Sequence, residues 1–133
     1  MFRIKFCRET ILKLLYQIDI LELDQNKLDN LWQEEIFFLK GLNQTEKEFV
    51  MRIINKVLQE KEKIDRIISD HLIGWKIKRL AVIDRNLLRM GMGEAYFNDQ
   101  KAIIIDDVVR IAKKYSDKES YKIINAILDK VIP

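Results

Sequence analysis

"WKIKRLAVIDRNLLRMGMGEAYF", Trp75 to Phe97, is apolar enough to lie at the centre of a fold, yet Asp84, Arg85 and Arg89 interrupt it. Its apolar residues recur at helical spacing. Leu80, Asp84 and Leu88 share one stripe, and Arg85 and Arg89 share another. A charge on an apolar stripe must reach solvent or find a partner, because burying it unpaired costs on the order of several kcal/mol. Two readings of Asp84 stay open here: an internal ion pair, or a charge facing a second protein across a bundle. Gly91 and Gly93 lie inside the helical pattern and follow no strand, so they form no dinucleotide or phosphate loop. They are expected to admit a close helix–helix approach.

The stretches on either side are helical too. Ile11, Leu14, Leu15, Ile18 and Leu21 recur at helical spacing, and Glu9 and Lys13 form an i,i+4 pair in the favourable order. "LDQNKLDN" breaks that pattern. "LWQEEIFFLKGLN" reads as a shorter helix with Leu31, Glu35, Phe38 and Leu42 on one stripe and Gly41 as its stop. "TEKE", Thr45 to Glu48, has the form of a capping box. It opens a long helix through Phe49, Ile53, Val57, Ile64, Ile68 and Leu72, with a break expected around "QEKEK" and an end at Gly74. After the turn "NDQK", the β-branched run in "AIIIDDVVRIAKKY" looks strand-like, but no partner strand exists in the sequence and helix is the better reading. "SDKE", Ser116 to Glu119, is a second expected capping box, before a last helix whose apolar face is Ile123, Ile124, Ile127, Leu128 and Val131. The sum is an all-α bundle of six or seven helices in one domain. The 133 residues, 48% hydrophobic and 34% charged with one Pro and four Gly, suit that class better than a sandwich or barrel.

Composition narrows the chemistry. Cys7 is the only cysteine and His71 the only histidine, so neither an internal disulfide nor a Cys/His zinc site can form. Cys7 reads as an ordinary helix residue and His71 as a polar residue near a helix end. Asp106 and Asp107 are adjacent on a helix and diverge by about 100°. No nucleophile–base–orienter set emerges, which leaves no catalytic residue, no metal and no cofactor to assign. The apolar start is broken by Lys13 and Asp19 and makes a poor signal peptide. No window is long and apolar enough to span a membrane, and a reduced, cytoplasmic setting is expected.

The cations are informative by position, since 24 Lys and Arg against 21 Asp and Glu is only weakly basic. Lys5, Arg8, Leu12 and Tyr16 share a stripe of the first helix. Lys113, Lys114, Lys118 and Lys122 cluster near the last helix start, interleaved with Tyr115 and Tyr121. Cations with aromatics nearby are what single-stranded RNA binding requires; the plainer alternative is solvated lysines with tyrosines rimming the core. Lys56 and Lys61, on the long helix, read as solvated charges.

"RETILKLLYQID", "GWKIKRLAVIDRNLLRMGMGEA", "IIIDDVVRIAKKYS" and "SYKIINAILDKV" resemble, in order and spacing, the motifs of the NusB family of bacterial transcription antitermination factors. The likeness extends over nearly the whole chain except about Asp24 to Ile64, and the block Trp75, Arg79, Ile83, Asp84, Arg85, Leu88 and Arg89 is its most specific part. The resemblance implies an all-α, NusB-like fold of two packed helical bundles, with residues 1–133 as a single RNA- and protein-binding domain. It implies no enzyme, but a factor that binds boxA-type RNA together with ribosomal protein NusE and acts on RNA polymerase through the antitermination complex. The RNA contacts it implies are Lys5, Arg8, Ser120, Lys122 and Ile123, to which the lysine cluster adds Lys118. The NusE contacts it implies are Tyr16 and Asp84, with Arg85 and Arg89 fixing the helix internally. The family's opening arginine run is thin here, reduced to Arg3, Lys5 and Arg8; Ile123 replaces an aromatic, and Ala126 a glycine. A monomer and a homodimer both fit this reading. Two alternatives are the RNA-binding domain of an RNA cytosine methyltransferase, which would need a catalytic domain after Pro133, and a helical adaptor that binds only protein.

Overall fold

The structure, a computed structural model, describes residues 1–33, 39–73 and 76–133. Among the described residues it is all-helical: α1 (Ile4–Ile20), α2 (Gln25–Gln33), α3 (Gln44–Gln59), α4 (Lys61–Ser69), a 3-10 turn (Ile77–Arg79), α5 (Val82–Ala95), α6 (Lys101–Tyr115) and α7 (Ser120–Val131). The helix α5 is the hub. It packs against α1, α3 and α4 on one side and α6 and α7 on the other, so two groups of helices share it. Every residue from Asn86 to Glu94 is buried. The two glycines make this density possible. A Cβ on Gly93 would stand 2.5 Å from Cγ2 of Val57 in α3, and one on Gly91 would stand 3.1 Å from Cδ2 of Leu128 in α7.

The helix expected over Trp75–Phe97 is shorter than its pattern. Lys76, Leu80 and Ala81 are extended, and α5 begins only at Val82. The 3-10 turn between these extended residues lets Ile77 enter the core before α5 sets off. Trp75 and Gly74 lie outside the described residues.

Other boundaries move for local reasons. The pattern breaks at the start of "LDQNKLDN" as expected, with residues 21–24 non-helical, but helix resumes within it: Asp24 caps α2 by accepting from Lys27 N–H at 2.8 Å, and Leu28 supplies the buried contact in this octet. Polar residues can hold a helix once one apolar anchor and a cap are present. The helix expected over "LWQEEIFFLKGLN" falls partly on residues 34–38, outside the described ones; its first residues belong to α2, and Gly41 has a positive φ of 84° in a turn. The capping box before α3 forms two residues earlier than expected. Asn43 accepts from Glu46 N–H at 2.9 Å, and Glu46 accepts from Asn43 N–H at 3.0 Å. Glu46 is favoured there because it also receives Arg3, in a buried position that Glu48 lacks. The break around "QEKEK" occurs at Glu60, and the β-branched run is α6 as expected. The second capping box does not form: Ser116 ends α6 in extended backbone, and α7 starts at Ser120 without a side-chain cap.

Candidate nucleic-acid interface

Two ion networks lock α5 to its neighbours. Asp19 of α1 accepts from Arg85 Nε and Nη2 (2.7 and 2.6 Å), from Asn86 Nδ2 (2.9 Å) and from Arg89 Nη1 (2.9 Å). Arg89 also donates twice to Asp65 of α4, each at 2.9 Å. Burial alone would raise the Asp19 carboxyl, but the hydrogen bonds of Arg85 and Asn86 and the charge of Arg89 outweigh it and hold the pKa at about 2. Arg85 and Arg89 are therefore internal, as expected.

The second network corrects an expectation. Arg8, expected at the RNA surface, is only 2% exposed. Its guanidinium donates to Glu94 at 2.8 and 2.6 Å and to Asp107 at 3.0 Å. It joins α1, α5 and α6 from inside and shapes the surface above without offering it a charge. Asp106 and Asp107 diverge as the spacing requires: Asp107 is buried in this network and Asp106 is exposed.

Around that buried triad the surface is cationic. Glu9 of α1 reaches α6, accepting from Lys114 Nζ at 2.7 Å, Tyr115 Oη at 2.9 Å and Arg110 Nη1 at 3.2 Å. Lys5, one turn before Glu9, is exposed and has no ion pair among the described residues. On the other side α6 packs on α7. There Lys113 lies 4.7 Å from the Tyr121 ring, Lys118 is exposed, and Lys122 forms an exposed pair with Glu119 at 2.7 Å. Ser120 is half-buried at the start of α7, and Ile123 is 57% exposed, off the apolar face expected for it. Between α6 and α7, Asp106, Val109, Arg110, Lys113 and Asn125 line an open cleft of about 410 Å³. Arg110 donates to Asp107 and Glu9, yet its Nη2 is buried without an acceptor among the described residues. The structure thus leaves Lys5, Lys113, Lys118 and Lys122 exposed on and beside α1, α6 and α7, which pack on one another in the order α1–α6–α7, and adds Arg110, which the sequence reading does not single out.

Tyr16 and Asp84 also come together. Tyr16, Ile83, Tyr115 and Ser116 line a hollow of about 240 Å³ where α1, the start of α5 and the end of α6 meet. The Ser116 hydroxyl donates to the Asp84 carboxylate, so one residue connects both expected partner contacts. Asp84 is half-buried and has no ion pair among the described residues, which sets it apart from Arg85 and Arg89 beside it.

Cys7 is fully buried, and burial followed by the charge of Glu46 pushes its thiol up to about 11. A thiol so held stays protonated near neutrality and is a poor nucleophile. His71 is exposed, its Nδ1 2.9 Å from the Ile67 carbonyl. Among the described residues no three His, Cys, Asp or Glu side chains are grouped as metal ligands would be, and no helix is long and apolar enough to cross a membrane.

Residues 7–133 match the family model of the NusB family. The transcription antitermination protein NusB of Carboxydothermus hydrogenoformans is 37% identical over 126 residues, 91% of this chain and 86% of that protein. The protein of the same name from Ruminiclostridium cellulolyticum is 33% identical over 126 residues, 93% of this chain and 84% of that one. Among solved structures, T. maritima NusB superposes with a TM-score of 0.84 at 29% identity, covering 99% of this chain and 92% of that one. A structure of antitermination factors NusB and NusE in complex with dsRNA superposes with a TM-score of 0.78 at 27% identity, covering 96% and 94%.

Proposed function

The chain belongs to the NusB family, and we propose that it is a transcription antitermination factor. It binds boxA-type RNA together with ribosomal protein NusE, and through that complex it keeps RNA polymerase processive on ribosomal RNA operons. The observation that carries the reading is the family match over residues 7–133, joined to relatives that bear the antitermination name. The arrangement of side chains supports a division of labour within residues 1–133, which act as one domain. The α1–α6–α7 surface, with Lys5, Lys118, Ser120, Lys122 and Ile123, takes the RNA: lysines reach phosphates, and Ile123 offers an apolar contact in place of a stacking ring. The hollow at Tyr16 and Asp84 takes NusE, with Asp84 as the charge for a basic side chain of the partner and Tyr16 as the apolar anchor.

The protein works by assembly in the cytoplasm and turns over no substrate. A stoichiometric metal or a nucleotide retained through purification would count against that part. The decisive measurement is fluorescence anisotropy of a labelled boxA-type RNA at several salt concentrations, with and without purified NusE. Salt-dependent binding that tightens with NusE is expected. Binding to NusE with no salt-dependent RNA affinity would leave the protein-only adaptor standing.

A further inference from the structure

A second set of rings and cations, with Arg52, Tyr96 and Phe97 exposed and Phe49 and Lys56 half-buried, lies where α3 meets the end of α5. Thr45, Phe49, Arg52 and Lys56 follow at i, i+4, i+7 and i+11 and so form one stripe of α3. Gly93 draws the α5 backbone onto Val57 of the same helix, which brings Tyr96 and Phe97, just past the end of α5, beside that stripe. The Arg52 guanidinium is 5.6 Å from the Phe97 ring centroid, and the Lys56 ammonium 4.8 Å from that of Tyr96. Phe2 meets Phe49 edge-on with centroids 5.2 Å apart, so the stripe continues into the segment that leads to Lys5. Tyr96 and Phe97 remain 41% and 49% exposed. Glu46 and Glu94, the acids beneath, are buried and engaged by Arg3 and Arg8. Glu48, which accepts from Gln44, and Asp99 are the exposed acids next to the stripe in sequence.

We propose that this stripe is a second single-stranded RNA track, on which nucleotides flanking the principal RNA element stack. It rests on the RNA-binding reading above. Rings at the surface stack any base, and cations beside them hold phosphates, which is how single strands are bound without sequence preference. An acidic peptide would satisfy the cations but leave the rings without a stacking partner. From Phe49 to Lys56 the helix rises about 10 Å, the span of about three stacked bases at roughly 3.4 Å each. The lysine that reads as a solvated charge in the sequence, Lys56, is thereby part of a site.

The test uses three labelled probes on the full chain, beside titration with purified NusE: a core boxA-type RNA, the same RNA with a uridine tract at each end, and an unrelated oligouridine. The variants are Arg52→Gln with Lys56→Gln, and Tyr96→Ala with Phe97→Ala, each checked by thermal melting. Wild type should bind the extended RNA roughly tenfold more tightly than the core. Each double variant should remove most of that gain and leave core affinity within about twofold. Equal affinity of wild type for core and extended RNA overturns the track, as does a gain that survives both variants. Loss of NusE affinity with the RNA gain intact overturns it in favour of a protein surface. If the core RNA fails to bind at all, the functional reading falls, and oligouridine alone decides the track: weaker binding by both variants supports it, and unchanged binding refutes it.

Discussion

Lys5 and Arg8 lie one turn apart on α1, both expected to touch RNA, and they have opposite fates. Arg8 is sealed between Glu94 and Asp107, while Lys5 stands in solvent without a counter-charge among the described residues. The same contrast runs through α5, where Arg85 and Arg89 are tied to Asp19 and Asp65 but neighbouring Asp84 meets, among the described residues, a hydroxyl and no cation. A charge matched within the fold holds helices together; a charge left unmatched at the surface is available to a partner. Residue type does not distinguish the two, and burial does.

The sharpest way to break this comparison is to remove Arg8. Arg8→Ala leaves Glu94 buried without its cation and Asp107 with Arg110 alone, and should cost about 3–5 kcal/mol in denaturant unfolding. Lys5→Ala should stay within about 0.5 kcal/mol of wild type. Similar losses for both would erase the distinction between structural and surface cations.

Next in size is the hub itself. Gly93→Ala places a methyl against Val57 and should destabilise by about 1–3 kcal/mol, even though alanine is the better helix former. Val57→Ala in the same chain should recover part of that loss, which a double-mutant cycle would read directly.

Acid separates the internal carboxylates from the exposed ones. Asp19 is depressed from 3.8 to about 2 in the fold. The unfolded chain therefore takes up its proton first, and the stability it confers is present above about pH 4 and lost as pH falls toward 2. Unfolding free energies measured across that window should fall by about 2 kcal/mol through this residue. Asp19→Asn should flatten the profile and lower stability at neutral pH.

The smallest effect is on stability, and it is the one that matters for function. Lys122→Ala should leave melting unchanged while its RNA binding loses about 0.7 of the logarithmic salt slope, as for one phosphate contact on a single strand. Lys61→Ala, on α4, should change neither quantity. Arg110→Gln should resemble Lys122→Ala in RNA binding but also cost some stability, since two of its nitrogens are engaged in the Asp107–Glu9 network.

The helices themselves were legible because apolar spacing along one chain suffices to show them: α1, α3, α5 and α7 bury most of their expected stripes, Leu21 and Ile123 being exposed, and α6 forms despite its β-branched run. Their ends were not. The caps at Thr45–Glu48 and Ser116–Glu119 fit the motif as well as any, but Glu46 was claimed by Arg3 and Ser116 by Asp84, partners 43 and 32 residues away. The motifs at Trp75–Phe97 and in the last helix fixed the family from sequence, since they depend only on residue order. Which charges reach a partner depended on packing: Arg8 and Lys5 read alike on one stripe until α5 and α6 close over the first. Tyr16 and Asp84 could be named as contacts by likeness, but their meeting through Ser116 arises only when α1, α5 and α6 converge, because spacing along a chain carries no distance between helices.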